Sequence, residues 1–275
     1  MTEMAAMLVR LSPVQQAWQE RGAGADAKFR ARLRVRGASG PGALLRALVE
    51  VAERHEILRS RPHLRDGAPE GLEILPPGQC SLHLAIEPRQ DGAEAYTVEL
   101  EAPGLVFDAG ALAALLPAWV RVLGGEPEPE ELPLQHAEVS EWLHQLLAED
   151  GEGRAFWQER LRRLPPAAAL PELLEGGAER GRRSFERTLE PVLVGRLEGL
   201  AKRLGRSLEE LLLAAFAALL GRLGEGRAFA LEVLCGGRSY PELEPLPLPL
   251  ARALPLAVGA QRGLGLPALA ASLAR

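Results

Sequence analysis

The segment from Ser207 to Gly224 constrains the fold of this chain more than any other. Ser207 and Glu210 have the spacing of a capping box, in which each side chain accepts a hydrogen bond from the backbone N–H of the other residue. The pattern predicts a helix over Leu208–Leu223 that ends at Gly224, since glycine readily adopts the left-handed conformation at a helix end. This helix is apolar nearly all round, so we expect it to be buried against a sheet.

Helix and strand patterns occur throughout the rest of the chain. Apolar residues at three- and four-residue spacing indicate helices, and strict alternation of apolar and polar residues indicates strands. The predicted helices are residues 43–54 and 111–122, and the predicted strands are 79–87, 96–101 and 227–235, the last largely buried. Residues 241–256 carry five prolines, so they can be extended but cannot form a central strand.

The chain length fits one large domain or two ordinary ones, because a domain typically has about 100–200 residues. Residues 164–183 are rich in proline and glycine, which is typical of a connector between lobes. We therefore predict an N-terminal lobe at 1–163, a linker at 164–183 and a C-terminal lobe at 184–275. Residues 124–131 are acidic and carry alternate prolines, which predicts an exposed loop.

Composition excludes several classes of protein. The net charge is −5 and no long basic block occurs, so nucleic acid is a poor candidate partner. The only two cysteines, Cys80 and Cys235, lie far apart, which argues against a disulfide framework and a zinc site and fits a reducing cytoplasm. The longest apolar run, residues 211–220, is about half of the ~20 residues that a membrane span needs. We expect a cytoplasmic protein without a membrane partner.

Five stretches resemble, in order, the condensation domains of nonribosomal peptide synthetases. LSPVQQAW at 11–18 is similar to the family's LSPxQxxLW segment, and RHEILRS at 54–60 to its RHExLRT motif. Glu138 and Trp142, followed by FWQERL at 156–161, resemble the YxDYAxW segment and the YWxxxL helix. LLAAFAALL at 212–220 is similar to the buried helix of the second lobe. GR at 237–238, PEL at 241–243 and LPL at 254–256 resemble the stretch GRxxPEL…LPLRV.

The resemblance implies a two-lobed α/β fold like that of chloramphenicol acetyltransferase, with an incomplete second lobe. It also implies chemistry that joins an acyl group to an amine. Both substrates would be presented on phosphopantetheine by peptidyl or acyl carrier proteins, so no cofactor of the domain itself is expected. Neighbouring synthetase domains are the other implied partners. A completing second chain, or self-association, remains open as a third interpretation because of the shortened second lobe.

The HHxxxDG motif of these condensation domains is altered at its catalytic positions. When the motif is aligned through Asp108, its histidines fall at Pro103 and Gly104, and its glycine falls at Ala109. A general base must lie within about 2.6–3.2 Å of its proton or act through one water, and neither Pro103 nor Gly104 offers a side chain for this. We therefore predict a domain without catalysis. The alternative is acyl transfer that persists through the positioning of two tethered substrates.

The resemblance assigns structural roles to three further residues. In the family the motif aspartate pairs with an arginine, so Asp108 is expected to pair with Arg59, and Arg238 belongs to the GR motif. Alternatively, Asp108 is a solvated residue at the start of a helix, where the dipole favours a carboxylate. Among the histidines, His83 is the one candidate for a substitute base, whereas His136 and His144 are expected to be exposed on a surface helix. No catalytic triad or metal site is predicted.

Overall fold

A computed structural model describes residues 7–22, 26–89, 95–127, 129–167, 187–224, 226–260 and 265–273. The chain forms two compact units. The first contains Met1–Gly151 and Cys235–Arg252, and the second contains Glu152–Leu234 and Ala253–Arg275. Most of the predicted linker, residues 168–183, lies outside the described residues, and the boundaries at 163 and 184 remain predictions.

The first unit contains six strands and four α-helices among its described residues. The strands are β1 (Met7–Arg10), β2 (Lys28–Arg36), β3 (Ser60–Arg65), β4 (Ala68–Ile74), β5 (His83–Pro88) and β6 (Ala95–Pro103). The helices are α1 (Pro13–Glu20), α2 (Pro41–Arg54), α3 (Ala109–Leu123) and α4 (His136–Glu149), with 3-10 turns at Glu56–Arg59 and Pro241–Leu243.

Two antiparallel sheets organise these strands, in the orders β1-β4-β3 and β2-β6-β5. In the second sheet, the Cα of Glu101 is paired with Arg30 on one side and with His83 on the other. Alternation then places Leu100 and Val98 on the opposite face, where both are buried. The sheet therefore has one apolar face on the core and one charged face.

The core of the first unit lies between that apolar face and the helices α2 and α3. Leu44 of α2, Leu115 of α3 and Val98 of β6 are fully buried in one cluster. The indole Nε1 of Trp119 donates to the Leu44 carbonyl at 3.0 Å, so the buried ring keeps a partner for its polar atom. Leu248, from a segment late in the chain, joins the same cluster.

The second unit contains the remaining described elements. They are α5 (Gly151–Arg162), α6 (Pro191–Leu204), α7 (Leu208–Leu223), β7 (Phe229–Cys235), β8 (Arg252–Val258) and α8 (Leu266–Leu273). β7 and β8 form a two-stranded sheet. A small core joins Ala217, Phe229, Val258 and Leu269. No helix within the described ranges is both long and apolar enough to cross a membrane.

Helix α7 has the bounds and the capping box that the sequence predicts. Ser207 Oγ accepts from the Glu210 N–H at 3.1 Å, and Glu210 Oε2 accepts from the Ser207 N–H at 2.8 Å. As expected, one side of this helix is buried against the sheet, since Ala217 packs in one cluster with Phe229 of β7 and Val258 of β8. Several leucines on its other side are exposed. The expectation that the strand at 227–235 is largely buried is wrong. Only Phe229 of β7 is buried, since a two-stranded sheet leaves much of each strand exposed.

Candidate functional site

The altered motif lies in the turn that joins β6 to α3. The predicted strand at 96–101 extends to Pro103, and the backbone N–H groups of Val106 and Phe107 both donate to the Pro103 carbonyl, at 2.9 and 3.1 Å. Val106 and Phe107 are buried. The turn is also held from α1, because the buried Gln15 amide donates through Nε2 to the Leu105 carbonyl at 2.6 Å. The motif positions are therefore fixed to the core at both ends of the turn.

Gly104, the position of the second family histidine, lies against the backbone of Ala27. Its N–H donates to the Ala27 carbonyl oxygen at 2.6 Å. A Cβ atom at position 104 would lie 3.0 Å from that oxygen and 3.3 Å from the carbonyl carbon. Any side chain here therefore requires the Ala27 backbone to shift. The site lacks an imidazole at this position, and even a Cβ atom there would be tightly packed against Ala27.

Asp108 is the N-cap of α3 and also holds a distant segment. Its Oδ1 accepts from the Ala111 N–H at 2.6 Å, which satisfies one of the free N–H groups at the helix start. Its Oδ2 accepts from the Ala251 N–H at 2.9 Å. Since both carboxylate oxygens are used inside the first unit, Asp108 is a structural residue that ties the motif turn to residues near position 250.

The arginine close to Asp108 is Arg238. Its guanidinium donates through Nη2 to the carbonyls of Leu248 at 2.7 Å and Leu246 at 3.3 Å, and through Nη1 to Gly236 at 3.1 Å. Burial lowers the pKa of Arg238, and the negative charge of Asp108 opposes that shift. A Cβ at Gly110 would lie 2.3 Å from Arg238 Nη1, so the guanidinium occupies the space beside the start of α3.

The predicted pairing of Arg59 with Asp108 is wrong. Arg59 Nη1 donates to the Leu75 carbonyl at 2.7 Å, and the backbone N–H of Leu75 donates to the Arg59 carbonyl at 2.7 Å. These two bonds direct Arg59 to the end of β4. Both oxygens of Asp108 are already engaged by backbone N–H groups, as the structure shows. Arg59 is therefore structural at another place in the same unit.

His83 lies near the motif strand but outside the turn. It is exposed at the start of β5, and its Cα is paired with Glu101, two residues before Pro103. Glu101 accepts hydrogen bonds from Lys28 at 2.5 Å and Arg30 at 2.8 Å, and these bonds lower its pKa to about 2. The carboxylate beside His83 is thus already committed to two cations.

The prediction that His136 and His144 are solvent-exposed is wrong. His136 is 4 % exposed, and burial lowers its pKa to about 4. His144 is half-buried, with Nε2 3.0 Å from the Leu11 carbonyl oxygen. The inward positions of α4 are His136, Val139, Ser140 and Leu143. Their three- and four-residue spacing was the sequence signal that places a histidine inside.

The described residues give little support for a metal site or for a reactive cysteine thiol. No group of three or more His, Cys, Asp or Glu side chains there could hold a metal ion. Cys80 and Cys235 are not joined by a disulfide, and burial raises the pKa of the Cys80 thiol. The absence of a cofactor stays a prediction.

Solved structures share the overall fold of this chain. The crystal structure of the SgcC5 protein from Streptomyces globisporus aligns with a TM-score of 0.76 at 18% identity, covering 96% of this chain and 72% of that one. The first condensation domain of the calcium-dependent antibiotic synthetase aligns with a TM-score of 0.77 at 17% identity, covering 98% and 73%. At these identities the likeness shows the fold alone, and it confirms the predicted α/β condensation fold.

The amino-acid sequence matches one protein-family model over part of its length. The family model described as Condensation domain matches residues 118–247. Over these residues the chain is similar to condensation domains. A related stretch of 121 residues is 34% identical to the phosphinothricin tripeptide synthetase PhsC of Streptomyces viridochromogenes. That stretch covers 42% of this chain and 11% of the synthetase, so the matched part of the chain spans about a tenth of this curated relative.

Proposed function

We propose that this condensation domain does not catalyse amide formation and instead acts in nonribosomal peptide or hybrid polyketide biosynthesis by binding carrier proteins or neighbouring synthetase domains. The observation that carries the proposal is the motif turn. Pro103 and Gly104 stand where the family has histidines, and a Cβ at Gly104 would lie 3.0 Å from the Ala27 carbonyl oxygen. A turn of this shape has no group to accept the proton of an attacking amine.

The contacts that hold the turn support a binding role. Gln15, Asp108 and Arg238 all keep buried or half-buried hydrogen bonds to distant backbone groups. Unsatisfied partners of such bonds would destabilise the fold, by about 1–3 kcal/mol for each buried group. The frame around the motif is therefore maintained although the base is absent, which fits a domain whose folded surface matters more than its chemistry.

The charged face of β2 is the surface that we assign to the carrier. Its alternate residues are Lys28, Arg30, Arg32, Arg34 and Arg36. Glu101 and Glu99 pair with the first three, whereas Arg34 and Arg36 have no acidic partner among the residues described. Phosphopantetheine carries a phosphate, and arginine binds phosphate oxygens through a planar fork of N–H donors. Arginines on an exposed strand are therefore suited to bind the phosphate of the phosphopantetheine arm.

Titration calorimetry with purified carrier proteins encoded beside this gene tests the binding role. We expect heat of binding from at least one carrier with its phosphopantetheine attached, and weaker affinity for Arg34→Glu/Arg36→Glu. The control is Arg196→Glu/Lys202→Glu, which makes the same charge change on exposed positions of α6. No heat with any carrier, or equal loss of affinity in both double variants, contradicts the assignment.

A second function keeps catalysis, with His83 as the base. The observation that favours it is the register that pairs His83 with Glu101, two residues from the motif position Pro103 on the same strand face. This function requires acyl transfer between carrier-bound substrates and its loss in His83→Ala. Turnover by the unaltered domain, measured against that variant, distinguishes the two functions.

A further inference from the structure

A pocket opens on the surface of the first unit, between α4 and the 3-10 turn Pro241–Leu243. Its volume is about 330 Å³, and we call it the aromatic pocket. All of its lining residues belong to the first unit, so the pocket is formed within one compact unit. Helix α4 contributes Glu138, Val139 and Trp142, and the segment at the turn contributes Tyr240, Glu242 and Leu243.

The core of the first unit holds both walls of the pocket in place. Val139 of α4 and Leu243 of the turn are buried, and both belong to the main core cluster. Glu138 lies four residues before Trp142 and Val139 lies three residues before it, so these side chains share one side of the helix. The walls of the pocket are therefore anchored in the fold and exist before any ligand binds.

The rings of Trp142 and Tyr240 form a corner in this pocket. Their centroids are 5.0 Å apart and their planes are inclined at 82°. Trp142 is 36% exposed and Tyr240 is 44% exposed, so both rings remain accessible from solvent. The face of an aromatic ring carries partial negative charge and attracts cations, most strongly in the case of tryptophan. Two nearly perpendicular rings offer a cation an aromatic wall on two sides.

The charged groups of the aromatic pocket are all acidic. Glu138 and Glu242 are its only ionisable side chains apart from the Tyr240 phenol, and both are exposed. One oxygen of Glu138 accepts from the Gln135 N–H at 2.7 Å. Glu242 has no hydrogen bond or ion pair with any residue that the structure describes. The pocket thus combines carboxylates with aromatic rings and has no basic side chain of its own, which is complementary to a cation.

We propose that the aromatic pocket binds the side chain of an arginine that a partner protein presents on a peptide segment. A guanidinium is planar, stacks on aromatic rings and donates two parallel N–H groups to one carboxylate, here that of Glu242. It is also less strongly hydrated than the ammonium of lysine, which favours arginine. The aliphatic stem of the arginine packs on Leu134 and Val139, which also line the pocket.

The size of the pocket agrees with a single side chain. Sites for drug-sized molecules have volumes of about 300–1,000 Å³, and this pocket lies at the lower end of that range. One long side chain therefore fills it, and the rest of the partner peptide lies outside. We expect a dissociation constant on the order of 1 mM for a short peptide, because one anchored side chain supplies most of the binding free energy.

Nuclear magnetic resonance of the ¹⁵N-labelled full chain tests the proposal through its indole N–H signals. The peptide is acetyl-leucine-arginine-leucine amide, and its control carries citrulline, which has the shape of arginine without the charge. The Trp142 signal, assigned with Trp142→Phe, should shift to saturation. Those of Trp18 and Trp119, whose N–H groups donate to backbone carbonyls, should not. The citrulline peptide should bind about tenfold more weakly. Equal binding of the two peptides, a similar shift of all indole signals or no shift overturns the proposal.

Two substitutions in the pocket test which groups bind the guanidinium. Glu242→Gln removes the charge and keeps the shape, and Tyr240→Leu removes a ring and keeps an apolar side chain. Each should weaken binding of the arginine peptide by about three- to tenfold and leave the citrulline peptide nearly unchanged. Glu50→Gln, at an exposed position of α2, is the control. Unchanged affinity in both pocket variants, or the same loss in Glu50→Gln, overturns the assignment. The aromatic pocket does not include the motif turn or the charged face of β2, so arginine binding and carrier binding can fail separately.

Discussion

Oδ2 of Asp108 accepts a hydrogen bond from the backbone N–H of Ala251 at 2.9 Å, although 143 positions separate the two residues in the chain. Oδ1 of the same carboxylate caps α3 through the Ala111 N–H at 2.6 Å. One side chain therefore holds the motif turn, the start of a helix and a late segment of the chain together. Both hydrogen bonds are expected to contribute to the stability of the fold.

Replacing Asp108 should destabilise the fold measurably. Asp108→Ala removes a helix cap, worth about 1 kcal/mol, and leaves the Ala251 N–H without its acceptor, for a total loss of about 2–4 kcal/mol in the free energy of unfolding. Urea denaturation followed by circular dichroism measures this loss. Asp26→Ala, at an exposed position, should stay within about 0.5 kcal/mol of the parent. Equal stability of the two variants would show that the Asp108 bonds do not hold the fold.

The effect of Gly110→Ala on the free energy of unfolding should depend on the residue at position 238. In the parent background the new Cβ meets Arg238 Nη1, so we expect a loss of about 1–3 kcal/mol. In an Arg238→Ala background that contact is gone and only Asp108 Oδ1, 3.3 Å from the new Cβ, remains close, so the loss should fall below about 1 kcal/mol. A double-mutant cycle from denaturation curves gives the coupling energy.

Gly195→Ala is the matched control for Gly110→Ala. Position 195 lies in α6, and its Cβ would meet no atom within 4 Å. This substitution should therefore be neutral or stabilising in both backgrounds. If Gly110→Ala behaves like Gly195→Ala in the parent protein, the guanidinium does not occupy the place that the structure gives it.

Gly104→Ala should destabilise the chain by about 1–3 kcal/mol, because its Cβ would press on the Ala27 carbonyl that already accepts the Gly104 N–H. Gly236→Ala, where a Cβ meets nothing within 4 Å, is the control. Thermal denaturation of both variants measures the difference. A Gly104→Ala protein as stable as Gly236→Ala would mean that the turn accepts side chains, and that a histidine could return there.

Acidification should destabilise the fold through His136. Its pKa is about 4 in the folded chain because of burial, and about 6.5 when unfolded, so the unfolded state takes up the proton first as the pH falls. The stabilisation is complete above pH 6.5 and is lost as the pH falls from 6.5 to 4. Between pH 7 and pH 5 this group alone should remove about 2 kcal/mol.

His136→Phe isolates that contribution. The variant keeps an apolar ring at the position but cannot take up a proton, so its free energy of unfolding should fall by about 2 kcal/mol less than that of the parent between pH 7 and pH 5. Urea denaturation at several pH values gives both curves. Parallel curves for the parent and the variant would show that His136 is not held neutral by burial.

Local patterns predicted the helices well and the distant contacts poorly. The capping box of Ser207 and Glu210 specifies α7 within a few residues of sequence, so its bounds could be predicted correctly. The partners of Asp108 could not be predicted in this way. Ala251 and Arg238 come close to Asp108 only because residues 235–252 fold into the first unit. No sequence pattern near Arg59 indicates that its guanidinium donates a hydrogen bond to the Leu75 carbonyl.

The burial of some residues could not be predicted, because their sequence pattern is compatible with both a buried and an exposed position. The apolar composition of α7 predicts burial against a sheet but does not show how much of the helix is covered, and only the side formed by Leu211, Ala214, Ala217 and Gly221 is buried. A surface helix predicts an exposed His136, yet this residue belongs to the inward side of α4 together with Val139, Ser140 and Leu143. The placement of the motif histidines at Pro103 and Gly104, in contrast, is a prediction that needs only the local sequence around Asp108.

A condensation assay tests the central claim, that this domain has the family fold without its chemistry. An acyl-loaded donor carrier and an aminoacyl acceptor carrier are incubated with the domain, and a condensation domain with an intact HHxxxDG motif serves as the positive control. We predict that product forms no faster than in the absence of protein. Product above that background, lost in His83→Ala and retained in His144→Ala, would contradict the account.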